Sequence, residues 1–228
     1  MAKTVAIITR AFNRLEYTIN TIQSVKENTN YPEYKHIIVD NGSSDGTREW
    51  LTWIQNYKSP WFEKVFSHLP SENYGDWGGM VVGAKAMAKD CQYIVQLDND
   101  IAVPCGWLNA LVQVLESSKM DSVMLKRSGV KNQIQIQKPR NFKLLDGTVV
   151  KTGEIPFVVA CYITKADFFF SVCDQVKRCR DFGKLLKKKC MKITSINCHH
   201  MDGYHPTRKD YIQHQKYPKN QMTWQKFS

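Results

Sequence analysis

Four short apolar runs alternate with helical patterns along the first 118 residues. The runs are rich in β-branched residues and have the length of buried strands: TVAIIT (4–9), KHIIVD (35–40), EKVFSHL (63–69) and YIVQL (93–97). Apolar residues recur at helical spacing in the segments that follow these runs: 15–27, 47–57, 80–89 and 105–118. Alternation of this kind predicts a parallel sheet with helices on both faces.

After residue 118 the pattern changes to a mixture of short strands and one helix. The predicted strands are SVMLKR, NQIQIQ, FKLLDGTVVKTG and FVVACYIT, and Asp146-Gly147 is a hairpin signal. RDFGKLLKKK (180–189) predicts a helix and MKITSIN (191–197) a last strand. We interpret the chain as one α/β domain of three parts: the alternating half 1–118, the mixed half 119–198, and a basic, aromatic tail 199–228.

All four predicted parallel strands end in polar or glycine-rich loops. These loops are RAFNR, NGSSDG, PSENYGDWGG and DND. Right-handed crossovers place the carboxyl ends of parallel strands on one edge of the sheet, and open α/β sheets bind their ligands outside that edge. The sequence therefore predicts one ligand site to which all four loops contribute.

The last of these loops brings two carboxylates together. Asp98 and Asp100 leave the end of a buried strand with only Asn99 between them. Two carboxylates at such a place repel each other and are costly to bury without a counter-charge. A divalent cation would remove that cost, because carboxylate oxygens are the ligands that Mg²⁺ and Mn²⁺ prefer. The alternative is a plain turn, for which Asp-Asn-Asp is also good chemistry.

The composition is that of a soluble globular protein, with 43% hydrophobic and 23% charged residues. No apolar stretch reaches the length of a membrane-spanning helix, and the N-terminus lacks the long apolar region of a signal peptide. The seven cysteines are scattered without a CxxC pair, which favours reduced, buried thiols over disulfides or a structural zinc site. These features predict a cytoplasmic protein without a transmembrane segment.

Basic residues exceed acidic ones by 11, and the excess concentrates after residue 126. Such an excess attracts polyanions: nucleotide phosphates, nucleic acid or an anionic membrane surface. Solubility is the simpler explanation of the charge, but its clustering favours a surface for a partner.

Three motifs follow one another in a characteristic order: IIVDNGSSDGT, then ENYGDWGG, then YIVQLDNDIAVPCGWLNALVQVL. In this order and spacing they resemble the nucleotide-sugar domain of GT-A glycosyltransferases, most closely the large inverting family 2. The resemblance covers residues 3–118 well and the remainder loosely. It implies a Rossmann-like GT-A fold with a mostly parallel central sheet, a nucleotide-sugar half at 1–118, a mixed acceptor half at 119–198, and Mn²⁺ or Mg²⁺ as cofactor.

The resemblance also implies roles for the residues that follow the strands. Asp40 resembles the residue that binds the nucleotide base, and Asp100 the residue that ligates the metal directly. The residues implied to bind the nucleotide sugar are Thr9, Arg10, Asp40, Asn41, Asn73, Gly75, Asp98 and Asn99. Those implied to bind the metal are Asp98, Asp100, His200 and His205.

The base that deprotonates the acceptor hydroxyl falls in CRDFGKLLKKKC by the same resemblance. Asp181 stands at the base position, although Arg180 occupies the place where family members commonly carry a carboxylate. Asp174 is the second candidate. A base is needed because a sugar hydroxyl is a poor nucleophile at neutral pH. After the last strand, His199, His200 and His205 compete for a metal or diphosphate role, and Arg208 and Lys209 could clamp phosphate.

Together these features predict transfer of a sugar, with inversion, from a nucleoside-diphosphate sugar, most commonly a UDP-sugar in this family. For the acceptor we consider a polyanion: hydroxymethylated viral DNA, or an anionic glycan or lipid reached by peripheral membrane contact. A virus-encoded enzyme in a host cytoplasm fits the DNA alternative. The competing hypothesis is a catalytically weak GT-A-like module that binds nucleic acid or an anionic membrane surface.

Other nucleotide-binding folds are disfavoured by the first loop. A sugar-nucleotide pyrophosphorylase or a Rossmann dehydrogenase would carry a glycine-rich motif directly after the first strand, where this chain has TRAFNR.

Overall fold

The fold is that of a computed structural model, which describes residues 3–57, 62–128, 134–186 and 189–201. The described strands are β1 Val5–Ala11, β2 Tyr34–Asp40, β3 Val65–His68, β4 Tyr93–Asp98, β5 Ile101–Ala102, β6 Ser122–Ser128, β7 Gln137–Lys143, β8 Val149–Ile155, β9 Cys161–Lys165 and β10 Cys190–His200. The described helices are α1 Leu15–Asn28, α2 Thr47–Tyr57, α3 Gly75–Met87, α4 Trp107–Ser117, α5 Ala166–Val172 and α6 Cys179–Leu185, with a 3-10 turn at Cys173–Gln175.

One ten-stranded sheet runs through both halves of the chain, in the order β3-β2-β1-β4-β9-β6-β10-β8-β7, with β5 paired to β10. β1 pairs in parallel with both β2 and β4, and β2 pairs in parallel with β3. The part of the sheet formed by residues 119–198 is mixed, since β9 is antiparallel to β4 and to β6 whereas β10 is parallel to β6. The α/β architecture predicted from the sequence is therefore confirmed.

Alternating residues of the parallel strands build two apolar layers. Val5 and Ile7 belong to the core that packs under α4, whereas Ala6 and Ile8 belong to the core under α3, α5 and α6. Ile38 faces the third cluster, which α1 and α2 cover with large side chains such as Trp50. A parallel sheet buried on both faces in this way explains why its strands are continuous apolar runs in the sequence.

Three segments differ from the sequence predictions. Helix α3 begins at Gly75 rather than at residue 80, because Trp77 in the predicted loop is buried in the core as part of its first turn. FVVACYIT, predicted as a strand over its whole length, forms strand β9 only from Cys161 onward. In NQIQIQ the described residues 134–136 form no strand, and strand β7 begins at Gln137. The predicted hairpin at Asp146-Gly147 is confirmed as the connection between β7 and β8.

The register of the sheet determines which strand ends lie side by side at the candidate site. Arg10 of β1 is paired with Asp98 of β4, and Ala11 with Asp40 of β2, so the ends of these three strands lie side by side. The end of β10 joins the same edge, because His200 pairs with Ile101 of β5 directly after the DND turn.

Candidate active site at the carboxyl edge of the sheet

A cavity of about 550 Å³ opens at this edge. The loops after β1, β2 and β4 and the start of α3 line it with Arg10, Phe12, Arg14, Asn41, Asn73, Gly75, Asp76, Asp98, Asn99 and Asp100. The structure thus brings together seven residues that the family resemblance places at the donor or metal site: Arg10, Asn41, Asn73, Gly75, Asp98, Asn99 and Asp100. Thr9 and Asp40 do not line the cavity.

Arg10 and Asp98 form the first charge pair of the cavity. Nη2 of Arg10 donates a hydrogen bond to Asp98 Oδ1 at 2.7 Å, and Nε2 of Gln96 donates to the same oxygen at 3.3 Å. Desolvation raises the pKa of Asp98, the nearby Arg10 charge opposes that rise, and the like charge of Asp100 adds to it. Arg10 also donates to the carbonyl and the carboxylate of Asp76, so one guanidinium joins β4 to the first turn of α3.

Arg14 and Asp100 form the second pair, and both side chains are almost fully buried. Asn13 and Arg14 have left-handed backbone conformations, with φ of 56° and 63°, and this turn directs Arg14 back toward the DND loop. Nη1 of Arg14 donates to Asp100 Oδ2 at 3.0 Å. The turn is held by the next loop, since Asn13 Oδ1 accepts from the Ser44 amide at 2.8 Å and the Asn13 amide donates to Ser43 Oγ at 2.7 Å.

His200 is the tail histidine that the structure places beside the DND turn. Its Nε2 lies 3.4 Å from Asp100 Oδ2, and the Met201 amide donates to the Asp100 carbonyl at 2.8 Å. His199, one residue earlier, is exposed and its Nδ1 lies 3.2 Å from Ser128 Oγ. His205, Arg208 and Lys209 lie outside the described residues.

Asp100 and His200 fit a divalent cation. Asp100 Oδ1 is buried without a hydrogen-bond partner among the described residues, which is a position a cation would satisfy. In the described ranges, no group of three or more His, Cys, Asp or Glu side chains is placed to hold a metal. A cation here would therefore take its remaining ligands from water or from a bound diphosphate, as Mg²⁺ commonly does in phosphate-binding enzymes.

The asparagines shape the loop that opens α3. Asn41 clamps this loop in two directions: its Nδ2 donates to the Gly75 carbonyl at 2.8 Å, and its Oδ1 accepts from the Tyr74 amide at 2.8 Å. Asn73 Oδ1 accepts from the Gly75 amide at 2.8 Å, and Gly75 has a φ of 71°, which favours glycine. These contacts fix the position of the loop over the cavity.

Asp40 and Thr9 are buried next to residues that line the cavity, but they do not line it themselves. Asp40 is fully buried, and its two oxygens bind Arg48 Nη1 at 2.9 Å and the Ser43 amide at 3.1 Å. Thr9 is also fully buried, and its Oγ1 lies 2.9 Å from His36 Nε2. Both residues are already bonded to protein groups, and the structure gives them a supporting position rather than a place in the wall of the cavity.

The two candidate bases occupy different places. Asp181 lies in the first turn of α6, two residues after Cys179, and binds Arg178 Nε at 3.2 Å. Cys179 reaches the cavity, because its thiol donates to Asp76 Oδ1 at 3.0 Å. Asp174 is exposed and paired at 2.6 Å with Lys85, ten residues along α3 from Gly75, which corresponds to about 15 Å at 1.5 Å per residue. The structure therefore does not bring Asp174 to the cavity.

Four residues at or near the cavity were not assigned to the site from the sequence. Three of them have no role in the family resemblance: Phe12, whose ring is exposed at the cavity, Asp76 and Cys179. The position of Phe12 in the first loop was a usable signal, but nothing local marks Asp76 or Cys179. Trp77, which follows Asp76 in the predicted loop PSENYGDWGG, is a core residue buried against Phe182 with ring centroids 5.0 Å apart.

Two further findings concern the described helices and the cysteines. No helix within the described ranges is long and apolar enough to cross a membrane. All seven cysteines are free thiols.

Comparison with known proteins gives one family and one fold. The family model described as "Glycosyl transferase family 2" matches residues 6–206. No curated protein sequence matches the chain. Among solved structures, GalNAc-T7 with UDP, GalNAc and Mn²⁺ is similar at a TM-score of 0.67 and 15% identity, over 93% of this chain and 47% of that one.

Two structures of TarS 1–349 from S. aureus are also similar. The first has a TM-score of 0.64 at 12% identity, over 92% of this chain and 63% of TarS 1–349. The second, in complex with UDP-GlcNAc, has a TM-score of 0.58 at 14% identity, over 92% of this chain and 64% of that one. The chain thus spans about half to two thirds of the length of these proteins, and the likeness shows that it shares their fold.

Proposed function

The chain belongs to glycosyl transferase family 2, and on this premise we propose that it transfers a sugar from a nucleoside-diphosphate sugar to an acceptor hydroxyl, with inversion at the anomeric carbon. The observation that carries the proposal is the double charge pair in the cavity, where Arg10 binds Asp98 and Arg14 binds Asp100. Two carboxylates held by two guanidiniums at a strand edge suit a ligand that carries both phosphates and a metal ion.

We propose uridine diphosphate as the leaving group. Structures that share the fold contain UDP or UDP-GlcNAc, which supports this choice over other nucleosides. Phe12 is exposed in the wall of the cavity and offers a ring on which a base could stack. Asn41 after β2, and Asn73 and Gly75 at the start of α3, also line the cavity and would contact the ribose and the diphosphate.

We propose Mn²⁺ or Mg²⁺ as the cofactor, held by Asp100 and His200 with support from Asp98. The fold relative that contains Mn²⁺ and the unpartnered, buried Asp100 Oδ1 both support this assignment. When bound, the ion would supply a positive charge for the departing diphosphate. Arg10 and Arg14 would hold phosphate oxygens by charge-assisted hydrogen bonds and keep the two aspartates in place.

We propose Asp181 as the base. It lies in the first turn of the helix whose Cys179 contacts the cavity residue Asp76, whereas Asp174 is paired with Lys85 away from the cavity. The acceptor oxygen attacks the anomeric carbon on the face opposite the diphosphate, and the carbon–oxygen bond to the diphosphate breaks. Asp181 takes the acceptor's proton, so a single displacement produces the inverted glycoside and free nucleoside diphosphate.

We propose an anionic acceptor, because the charge of the chain is divided between its halves. Residues 1–118 contain 10 Lys and Arg against 13 Asp and Glu, whereas residues 119–201 contain 17 against 6. Hydroxymethylated DNA, an anionic glycan and an anionic lipid all share the chemistry that such a surface attracts. The free thiols and the scattered cysteines support a cytoplasmic site of action.

The test is the release of nucleoside diphosphate from a panel of nucleotide sugars. It is run with Mn²⁺, with EDTA, and with the Asp100→Ala variant. We expect one donor to be turned over with Mn²⁺. Release should be at least 100-fold lower with EDTA or in Asp100→Ala, because the metal ion that would hold the diphosphate is missing in both cases. Asp90→Ala is the matched control, because Asp90 is an exposed carboxylate of the same half that is paired with Lys35 at 2.6 Å.

The opposite result is equally informative. If calorimetry detects donor binding but no donor or acceptor yields nucleoside diphosphate, the chain is the catalytically weak binding module. If no donor binds at all with metal present, the proposed function is wrong.

A further inference from the structure

Helix α6 is packed directly on the turn that lines the donor cavity. The first turn of α3 contains the cavity residues Gly75 and Asp76, followed by the buried Trp77. Trp77 stacks on Phe182 of α6 with an interplanar angle of 27°, and its Nε1 donates to the Cys173 carbonyl at 2.9 Å. The helix that carries Asp181 therefore rests, through an apolar contact, on a wall of the donor cavity.

A polar contact lies beside the apolar one. The thiol of Cys179 lies 3.0 Å from Asp76 Oδ1 and 3.5 Å from Gln96 Oε1, and Nη1 of Arg10 lies 3.4 Å from its sulfur. Gln96 is in turn held by the hydroxyl of Tyr162, which donates to its Oε1 at 3.0 Å. Three elements of the donor half thus converge on one side chain of the acceptor half.

The thiol acts in this cluster as a hydrogen-bond donor. Burial and the neighbouring Asp76 carboxylate raise the pKa of Cys179, while the Arg10 charge opposes the rise. Cys179 is therefore a neutral thiol at physiological pH, and its proton is directed at an acceptor oxygen of the donor half. A nucleophilic role, which requires the thiolate, is disfavoured at this position.

Building on the transferase function proposed above, we infer that Cys179 is a positioning residue, whose thiol ties the first turn of α6 to Asp76, Gln96 and Arg10 and so places Asp181 relative to the bound donor. The helix needs such a tie because its seven residues cannot form a stable helix on their own. A base must lie within hydrogen-bond reach of the proton it takes, and a displacement of about 1 Å can cost on the order of 100-fold in rate.

The experiment measures donor hydrolysis, with water as the acceptor, for a set of variants of the full chain. Cys179→Val removes the donor group at nearly constant volume, Cys179→Ser keeps a donor, and Asp181→Asn removes the base. We expect Cys179→Val to lower kcat about 10-fold with the donor KM within about 2-fold of wild type. We expect Cys179→Ser to retain kcat within about 3-fold, because its hydroxyl can donate to the same oxygens.

The double variant separates positioning from a direct role. Cys179 acts through Asp181 in this inference, so adding Cys179→Val to Asp181→Asn should lower kcat no further than Asp181→Asn alone. The matched control is Cys105→Val, which changes an exposed cysteine outside the cluster and should leave kcat and KM as in wild type. Thermal unfolding of each variant verifies that the fold is kept, and Cys179→Ala replaces Cys179→Val if the valine variant does not fold.

Four results would overturn the inference. They are wild-type kcat in Cys179→Val, equal losses in the serine and valine variants, a change in donor KM alone, and losses that multiply in the double variant. Failure of the proposed function is distinguishable from these, because then the wild-type protein itself releases no nucleoside diphosphate with any combination of donor and acceptor, and the inference, which rests on that function, is wrong with it.

Discussion

At the scale of single residues, buried polar groups behind the cavity connect its function to stability. His36 on β2 is 1% exposed, and its Nε2 lies 2.9 Å from Thr9 Oγ1, one residue before Arg10. Burial lowers the pKa of His36 from its ordinary value of 6.5 to about 3. The folded protein therefore keeps this ring neutral at a pH where the unfolded chain would protonate it.

His36 should make the protein less stable in acid. As the pH falls from 6.5 toward 3, the unfolded state binds a proton that the folded state does not, so the free energy of unfolding falls by up to about 1.4 kcal/mol per pH unit. The stability is fully present above pH 6.5. Urea unfolding between pH 7 and pH 4 measures the slope of the free energy of unfolding against pH. We expect this slope to be smaller in His36→Gln by up to about 1.4 kcal/mol per pH unit.

The exposed His199 provides the control for this measurement. His199→Gln makes the same substitution at an exposed histidine, so it separates the burial of His36 from the mere loss of a histidine. Equal slopes in His36→Gln and wild type would contradict the assignment of the acid sensitivity to His36.

At the scale of elements, the close packing of α3 on the sheet holds the donor loop in place. A Cβ at Gly83 would lie 2.4 Å from Val39 Cγ2 and 3.5 Å from Ile8 Cγ2, so only glycine allows this approach. The small residues Ala84, within the same helix, and Ala88, directly after it, are also buried against the sheet, whereas Ala86 is exposed.

A larger side chain at Gly83 should separate α3 from the sheet. We expect Gly83→Val to lower the free energy of unfolding by about 3 kcal/mol or more, because the clash is with packed core atoms on β1 and β2. Ala86→Val adds the same side-chain type to the exposed side of the same helix and should cost less than about 1 kcal/mol, mainly through helix propensity. Chemical denaturation of both variants measures the difference, and equal losses would refute the packing argument.

At the scale of the whole molecule, the two halves share one sheet but carry net charges of opposite sign. One sheet passes through both, yet residues 1–118 carry a net charge of −3 and residues 119–201 a net charge of +11. In the described part of the acceptor half, Lys138 and Arg140 are paired with Glu154, whereas Lys143 and Lys151 are exposed on the β7–β8 hairpin. A polyanion should therefore bind to this half.

Binding to a DNA duplex should be strong at low salt and fall steeply with salt concentration. We expect Lys151→Glu to weaken it and to reduce the slope of log K against log salt by about 1, the contribution of one phosphate contact. Lys89→Glu makes the same charge change at an exposed site of the donor half and should have a smaller effect. Fluorescence anisotropy between 50 and 200 mM salt measures this, and absence of binding at low salt would exclude DNA as the acceptor.

The sequence by itself determined the alternating half of the fold and the edge of the sheet at which its polar loops meet. Runs such as YIVQL are apolar because both faces of their strands are buried, and this property is visible locally. The strand ends were informative for the same reason, since parallel topology alone brings the DND turn and the loop after β1 to one edge. The hairpin at Asp146-Gly147 was predictable because its turn chemistry is also local.

Only the tertiary structure decided which polar side chains meet at that edge. Arg10 contacts Asp76 and Cys179 across sequence separations of 66 and 169 residues, and no local pattern encodes such contacts. Tertiary packing likewise made Trp77 a core residue, because it stacks on Phe182 of α6. The physical reason is that hydrophobic periodicity depends on near neighbours, whereas the partner of a charged side chain depends on strand order, register and the packing of distant helices.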